Sequence, residues 1–560
     1  MKSKPILFLF AFSFIISLAT GFYAAKVSSE YYTVNDYAPD PMDGLIRNQH
    51  AYYNFVNNGR ISAFVSEFKE NNRTFFTTAS LILIAPEFLK RADGHLLLLI
   101  PFLTLFLFLL SYCVWIRTNN ILYSITVVVL YVTSYAITEP YFGIGFSMPD
   151  TIAGYPAGIA ALCLLIWFEK NKTRWLLLCA IFISISVLTR FVFTVYTFLL
   201  FSVPLILIFN HQYKILLFKW KDILKVMLLF GGVILLLCGF YLYNHYKFNN
   251  EYYSYWLNAG KKTMNSTLFE SLEGFTFMFT GFLRKIHAIF LSMLVISSFY
   301  FFHINKENLK QRLLLIAWMF FILPFYWIVI LRTNGHVVSS VFLAAFPIMF
   351  LCIVYPLNTL IIEKRKKAFN LLLVIIIISG FVDFIISVQK NSDSNQNVNT
   401  VTQIRKSTTI VIADMLNTII PRDSIISLYV FSCGYLGEEI SLESFYSAGR
   451  LIKTNPSENM FYLYTNFCTC NSNNSEDEII DSIYQKTNQT NNVLLFFTEG
   501  HSPFPNDSNS IVLKNAERSL YNIFSSDTLW KSTPVSVTSL GDVTLFYRNY
   551  LSLPENHKGF

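Results

Sequence analysis

Residues 94–116 read GHLLLLIPFLTLFLFLLSYCVWI, a run without a single Asp, Glu, Lys or Arg. As a helix it is about 34 Å long, enough to cross a hydrocarbon core of about 30 Å. In that solvent a helix satisfies all its backbone N–H and C=O groups within the segment, which a loop or open strand cannot do. Similar runs near 5–25, 121–138, 152–168, 173–189, 191–209, 223–243, 286–303, 311–331, 336–357 and 367–387 bring the candidate spans to eleven. The composition agrees: 54% of the 560 residues are hydrophobic and 14% charged, with 55 Phe and 32 Tyr, and the mean hydropathy is +0.45. A single soluble domain is excluded. The first run, preceded by Lys2 and Lys4 and ending near Ala24-Ala25, has the outline of a signal peptide, but ten further spans favour a retained first helix.

The charges lie between the spans. Lys and Arg number 43 against 35 Asp and Glu, a net +8, but long apolar runs separate them, so no nucleic-acid-binding face is expected. With the N-terminus cytoplasmic, the short cytoplasmic connections hold Arg117; Lys170, Lys172 and Arg174; Lys214, Lys219 and Lys221; Lys306, Lys310 and Arg312; and Lys364–Lys367. This is the positive-inside pattern. The connections 26–93, 139–151 and 244–285 and the tail from 388 onward then lie outside. The runs 173–189 and 191–209 join at Arg190 and read either as a broken hairpin or as one long helix with an interfacial piece. Of the eight Cys, Cys113, Cys163, Cys179, Cys238 and Cys352 belong to apolar runs and read as small buried hydrophobes, so no disulfide scaffold follows.

Residues 1–387 thus form a polytopic α-helical membrane domain, 388–403 a Ser/Asn/Gln-rich linker, and 404–560 a soluble α/β domain. Its strands are expected over Ile425–Phe431, Val493–Phe497 and Val543–Tyr547, after a helix ending near Asn417.

Chemistry concentrates on the outer side. Asp36, Asp40 and Asp43 crowd Asn35-Asp36-Tyr37-Ala38-Pro39-Asp40-Pro41-Met42-Asp43-Gly44; Asp, Pro and Gly also make plain solvated turns. Glu139 and Asp150 flank a second outer connection, before a span interrupted by Gly154, Pro156 and Gly158. Carboxylates at span ends serve as a general base or hold a divalent cation, roles closed to apolar packing residues. No His/Asp ligand set demands a metal, so no cofactor is assigned and a divalent cation is the one candidate. Arg190 reads as a fixed positive charge for a phosphate at the membrane surface, or as a side chain snorkelling from a hairpin tip. Arg332 and His336, in Arg-Thr-Asn-Gly-His, open the tenth span. The aromatic segment 244–285 and Phe75–Glu87 read as interfacial pieces at the headgroup level.

This ordered set resembles the polytopic GT-C glycosyltransferases, in particular bacterial members similar to protein O-mannosyltransferases and to the aminoarabinose transferases of lipid A. In that family a first span leads to an outer loop with an Asp-Glu or Asp motif, followed by an aromatic and small-residue stretch. Here Asp43-Gly44, Gln49-His50-Ala51-Tyr52-Tyr53 and Asn58-Gly59 correspond. The partner Glu is absent, which leaves Asp36 and Asp40 as alternatives to Asp43. Met148-Pro149-Asp150, Leu188-Thr189-Arg190, the stretch Arg332–Pro347 and Ala413–Ile425 of the tail continue the resemblance over nearly the whole chain.

The resemblance implies sugar transfer from a polyprenyl-phosphate-linked donor to an outer-face acceptor, a lipid A, envelope glycan or protein, at the bacterial inner membrane with its lipids as surroundings and the tail domain periplasmic. It implies Asp43 as the base, Arg190, Arg332 and His336 as ligands of the donor phosphate, and Asp150 and Glu139 in support. Three other classes fit many spans. A lipid-linked glycan polymerase or ligase typically places its large loop late in the chain. A transporter or flippase usually shows an internal repeat, absent here. A membrane scaffold presenting the tail needs none of the outer acids.

Overall fold

The computed structural model describes residues 3–32, 39–70, 75–90, 94–133, 149–170, 172–190, 228–239, 366–397, 425–431, 460–464, 475–487, 492–497, 508–537 and 541–548, with the single positions 193, 224 and 243. By its contacts the chain divides into two units: Met1–Ser28 with Asp43–Asp393, and Ser29–Met42 with Ser394–Phe560. The spans expected at 191–209, apart from position 193, and at 286–303, 311–331 and 336–357, and the segment 244–285, lie outside the described residues.

The first unit is helical. Its elements are α1 (Ser3–Tyr32), α2 (Pro39–Glu70, whose opening residues fall in the other unit), α3 (Phe75–Ile84), a 3-10 turn (Pro86–Lys90), α4 (Leu96–Thr118), α5 (Ile121–Val132), α6 (Pro149–Lys170), α7 (Thr173–Thr189), α8 (Leu228–Gly239) and α9 (Lys366–Asn397). Among the described residues, the helices over Lys4–Ala25 and Leu96–Ile116 are long and apolar enough to cross a membrane, and shorter apolar helices occupy Ile121–Val132, Ile152–Trp167, Thr173–Thr189, Leu228–Gly239 and Leu373–Ile386. The surface of α1 is inverted relative to a soluble protein: Leu7, Ile15 and Phe22 are 70%, 63% and 76% exposed, while Ser13 and Ser17 are buried. That arrangement is stable where the surroundings are as apolar as the side chains. Several hydroxyls in these helices are satisfied locally: Ser17, Thr20, Thr104, Thr126 and Ser184 each donate to the carbonyl one turn back, at 2.7–2.9 Å.

Helix order follows from a few contacts. Asn119 ends α4 in the left-handed region (φ 50°), and Asn120 then caps α5 by accepting from the Tyr123 N–H at 3.2 Å, so the two helices form a tight hairpin. The Asn120 amide also donates to the Asn370 Oδ1 of α9 at 3.1 Å. Phe106 of α4 lies against Tyr131 of α5 and Tyr155 of α6, at 5.0 and 5.7 Å between ring centres. Tyr112 of α4 stacks with Trp175 at the start of α7, and Phe102 meets Phe182, so α7 runs antiparallel to α4. Against α4, α1 is also antiparallel, with Phe10 on Phe108 and Gly21 on Ile100, so close that a Cβ at 21 would lie 2.7 Å from the Ile100 Cδ1. Lys4, Lys170, Lys172, Arg174, Lys366 and Lys367 consequently share the end marked by Tyr112, Trp175 and the Asn120–Asn370 bond.

The second unit is built on a five-stranded sheet of order β2-β1-β3-β5-β4, with β1 (Ile425–Phe431), β2 (Met460–Tyr464), β3 (Asn492–Phe497), β4 (Trp530–Val537) and β5 (Gly541–Arg548). The first three strands are parallel; β5 is antiparallel to β3, and β4 to β5. The segments read as strands from their apolar runs are covered by β1, β3 and β5. Along α11 (Ser508–Ser526), Ala516, Leu520 and Phe524 form one helical stripe. They pack on Leu494 and Phe496 of β3, Trp530 of β4 and Phe546 of β5, joined by Ile480 and Tyr484 of α10 (Glu476–Thr487).

Two stretches differ from expectation. The segment 388–403 was expected as a linker, yet α9 continues through its polar residues to Asn397, because extending a helix already nucleated by apolar turns costs little. The connection 26–93 is mostly helical. Pro39 and Pro41 sit in the first turn of α2, where a missing N–H is no loss, and Asp near a helix start is favoured by the dipole.

Candidate functional site

The sequence-derived residues fall into two groups. Asp36, Glu139, Arg332 and His336 lie outside the described residues. Asp40 and Asp43 are in the opening turns of α2, Asp150 is in the first turn of α6, and Arg190 is the C-cap of α7. Asp40 falls in the unit that holds the sheet, and Asp43 in the helical unit with Asp150 and Arg190.

The hairpin α6–α7 brings Asp150 and Arg190 to the same end. Ser186, in the last turn of α7, is buried and donates its hydroxyl to the Ala153 carbonyl in the first turn of α6 at 2.7 Å. Beyond it, Thr189 donates back to the Ile185 carbonyl, and the chain leaves the helix at Arg190 with extended angles (φ −149°, ψ 115°). The Arg190 N–H still closes on the Ser186 carbonyl at 2.9 Å, and its own carbonyl accepts from the Phe193 N–H at 3.1 Å. The helix α7 therefore ends at Thr189, and beyond Arg190 only position 193 of the run 191–209 is among the described residues. Arg190 is half-buried at the negative end of the α7 dipole, which suits a cation.

A layer made by α2 and α3 reaches this same end. Leu188, just before Arg190, and Phe64 and Phe68 of α2 all pack against Ala79 of α3. Helix α2 consists of two limbs, parted at Gly59, whose backbone (φ 79°, ψ 169°) is open to glycine alone. Phe64 and Phe68 belong to the second limb, Asp43 to the first. Two side-chain hydrogen bonds fasten the first limb to α3 and to the 3-10 turn: the Thr78 hydroxyl donates to the Asn48 Oδ1 at 2.9 Å, and the Tyr52 hydroxyl to the Glu87 Oε1 at 3.0 Å. Ala51 is buried beside them.

Sequence reasoning missed Asn48, Thr78 and Glu87 as a set, although Tyr52 lay within the aromatic stretch after Asp43. The available signal was the spacing of Asn48 and Tyr52, one helical turn apart and so on one face. It also missed Glu67, a carboxylate only 2% exposed between Phe64 and Phe68. Among the described residues no group of three or more His, Cys, Asp and Glu is placed to hold a metal ion.

No family model matches the chain, and no curated protein matches it. Among solved structures it is similar to ArnT from Cupriavidus metallidurans, crystallised in the apo state, with a TM-score of 0.52 at 12% sequence identity over 99% of this chain and 100% of that one. The chain shares the fold of that structure. At that identity the likeness extends to the fold over its full length and leaves residue roles to be argued from this chain. Here the helical unit comes first and offers several helix ends on one side at which charged groups can meet.

Proposed function

We propose that the chain is a membrane glycosyltransferase that moves a sugar from a polyprenyl-phosphate-linked donor to a hydroxyl on an outer-face acceptor, a lipid A, envelope glycan or protein. What supports this reading is that the start of α6, the end of α7 and the α2–α3 layer share one end of the helical unit, and that these elements carry Asp150, Arg190 and Asp43 in their sequences. The clustering of Lys170, Lys172, Arg174, Lys366 and Lys367 at the other end supports a cytoplasmic N-terminus, with the site outside and the sheet unit extracytoplasmic.

In this reading Asp43 accepts the proton of the acceptor hydroxyl as its oxygen attacks the anomeric carbon. The bond from that carbon to the phosphate oxygen breaks in line, its electrons leave with the polyprenyl phosphate, and the anomeric configuration inverts. Arg190 holds the departing phosphate and stabilises the charge that grows on it, aided by Arg332 and His336. Asp150, with Glu139, orients Arg190. Asp36 and Asp40 are the alternatives to Asp43, and no step is routed through a metal.

The test is transfer of radiolabelled sugar from defined polyprenyl-phosphate sugars to envelope fractions by purified wild type and D43N, with folding of both verified. Label with wild type alone fits the assignment. Undiminished transfer by D43N removes Asp43 as the base, and no transfer from any donor by folded wild type rejects the reaction class in favour of transport or scaffolding.

A further inference from the structure

Three features of the helical unit bear on how Asp43 is aimed. Gly59 uncouples the two limbs of α2, so the packing of Phe64 and Phe68 against Ala79 fixes the second limb and leaves the direction of the first open. Among the described residues nothing lies within 4 Å of where a Cβ at 59 would stand, and the contact across the break is the exposed one of Arg60 with the Phe55 ring, 5.8 Å from its centre. Two side chains of the first limb, Asn48 and Tyr52, one turn apart, reach Thr78 of α3 and Glu87 of the 3-10 turn.

We propose that the Tyr52–Glu87 and Asn48–Thr78 hydrogen bonds form a positioning clamp that sets the angle of the first limb of α2, and with it the placement of Asp43 relative to Arg190. The proposal rests on the reading of Asp43 as the base. The two bonds are matched to the task. Each bridges about 30 residues or more of sequence, so they report tertiary placement and not local helix formation. Their partners lie in α3 and the 3-10 turn, the elements that precede α4 in the chain, and α4 contributes to the buried core of the helical unit. Both are hydrogen bonds from hydroxyl groups, so removing either hydroxyl deletes a bond while leaving the shape of the side chain nearly unchanged. Tyr52, Glu87, Asn48 and Thr78 are positioning residues; none of them is assigned contact with the reacting atoms. Displacing a base by about 1 Å from its productive geometry costs on the order of 100-fold in rate, so a clamp of two modest bonds has a large leverage on turnover.

The experiment uses the full-length protein in detergent or nanodiscs, with spin labels at Val56 on the first limb and Leu177 on α7, both exposed, in a cysteine-depleted background. Tyr52→Phe, Thr78→Val, the double variant, Glu87→Gln and D43N are compared for the distance distribution between the labels and for kcat and KM of sugar transfer. The expected result is a broadened or shifted distribution in Tyr52→Phe and Thr78→Val, larger in the double variant. Their kcat should fall by roughly tenfold to 100-fold with little change in KM for the donor. Glu87→Gln, which keeps an acceptor oxygen, should stay near wild type on both counts. An unchanged distribution in the double variant overturns the clamp. A shifted distribution with unchanged kcat, beside an inactive D43N, overturns its role in positioning while the base assignment stands. Retained activity in D43N sinks the base assignment first and the clamp's catalytic meaning with it.

Discussion

Replacing Gly59 by Ala sets two quantities against each other, and both come from the geometry of α2. At φ 79° and ψ 169° an L-residue with a Cβ is strained by about 1–3 kcal/mol, and no atom lies within 4 Å to add a clash, so the cost is one of backbone alone. In the alternative, an unbroken helix, Ala is better than Gly by about 0.5–1 kcal/mol. The substitution therefore disfavours the kink by about 1.5–4 kcal/mol, a factor of about ten to several hundred. Opposing it are the two clamp bonds, about 1 kcal/mol each, and Arg60, whose guanidinium lies 5.8 Å from the centre of the Phe55 ring across the break, an exposed contact of about 0.5–1 kcal/mol. The two sides are of similar size, so Gly59→Ala should populate both kinked and straightened forms, and Gly59→Ala with Tyr52→Phe should be mostly straight. Labels at Val56 and Leu177 would read this as a second distance in the single variant that dominates in the double one. Transfer should fall in step with the kinked fraction. A single wild-type distance in both variants, with unchanged thermal stability, would refute the argument that the backbone at 59 demands glycine.

Two further expectations concern the frame around the site. Asn370→Ala should lower stability by about 1 kcal/mol by deleting the bond from Asn120, and the loss should vanish in an Asn120→Ala background, a coupling that thermal unfolding of the four variants in detergent would measure. In the sheet unit, Phe524 meets Tyr484, Phe496, Trp530 and Phe546, so Phe524→Ala should cost about 3–5 kcal/mol; hydrogen exchange of β3 and β5 should accelerate while that of α4 stays as in wild type. Equal acceleration in α4 would mean that the two units do not unfold separately.

The parts of the fold legible in advance were those where one solvent imposes one pattern. The uncharged run at 94–116 had to be a helix, because in hydrocarbon no other local structure satisfies its backbone. In the sheet unit, β3 and β5 announced themselves as apolar runs, whereas β4, WKSTPVSV, did not: as an edge strand it tolerates polar residues and Pro534. The start of α10 carried a usable signal that went unread. Ser475 and Glu478 form a reciprocal capping box, each backbone N–H donating to the other's side chain at 3.2 and 3.4 Å.

The candidate site was legible only as a set of separate residues, and the reason is physical. Acids and arginines near span ends are conspicuous because apolar surroundings tolerate them poorly, so Asp43, Asp150 and Arg190 stand out without any knowledge of the fold. What relates them is carried by groups that look ordinary in sequence. The Ser186 hydroxyl aligns α6 with α7 by bonding a backbone carbonyl, a partner that every residue type supplies. Leu188 and Ala79 meet as two small apolar contacts among many. Around Asp40 and Asp43, the same Pro and Asp that stop a helix in mid-course start one at its first turn, so composition leaves the choice between turn and helix open and position in the chain resolves it. Gly59 has the converse property: within the Asn57-Asn58-Gly59 stretch it reads as a loop signal, yet it parts two helical limbs, so the first limb is joined to its neighbours by tertiary hydrogen bonds and not to the second limb by helix continuity. On the proposed reading of Asp43 as the base, changes at Asn48, Tyr52, Thr78 or Glu87 would re-aim the first limb while leaving every charged candidate residue in place.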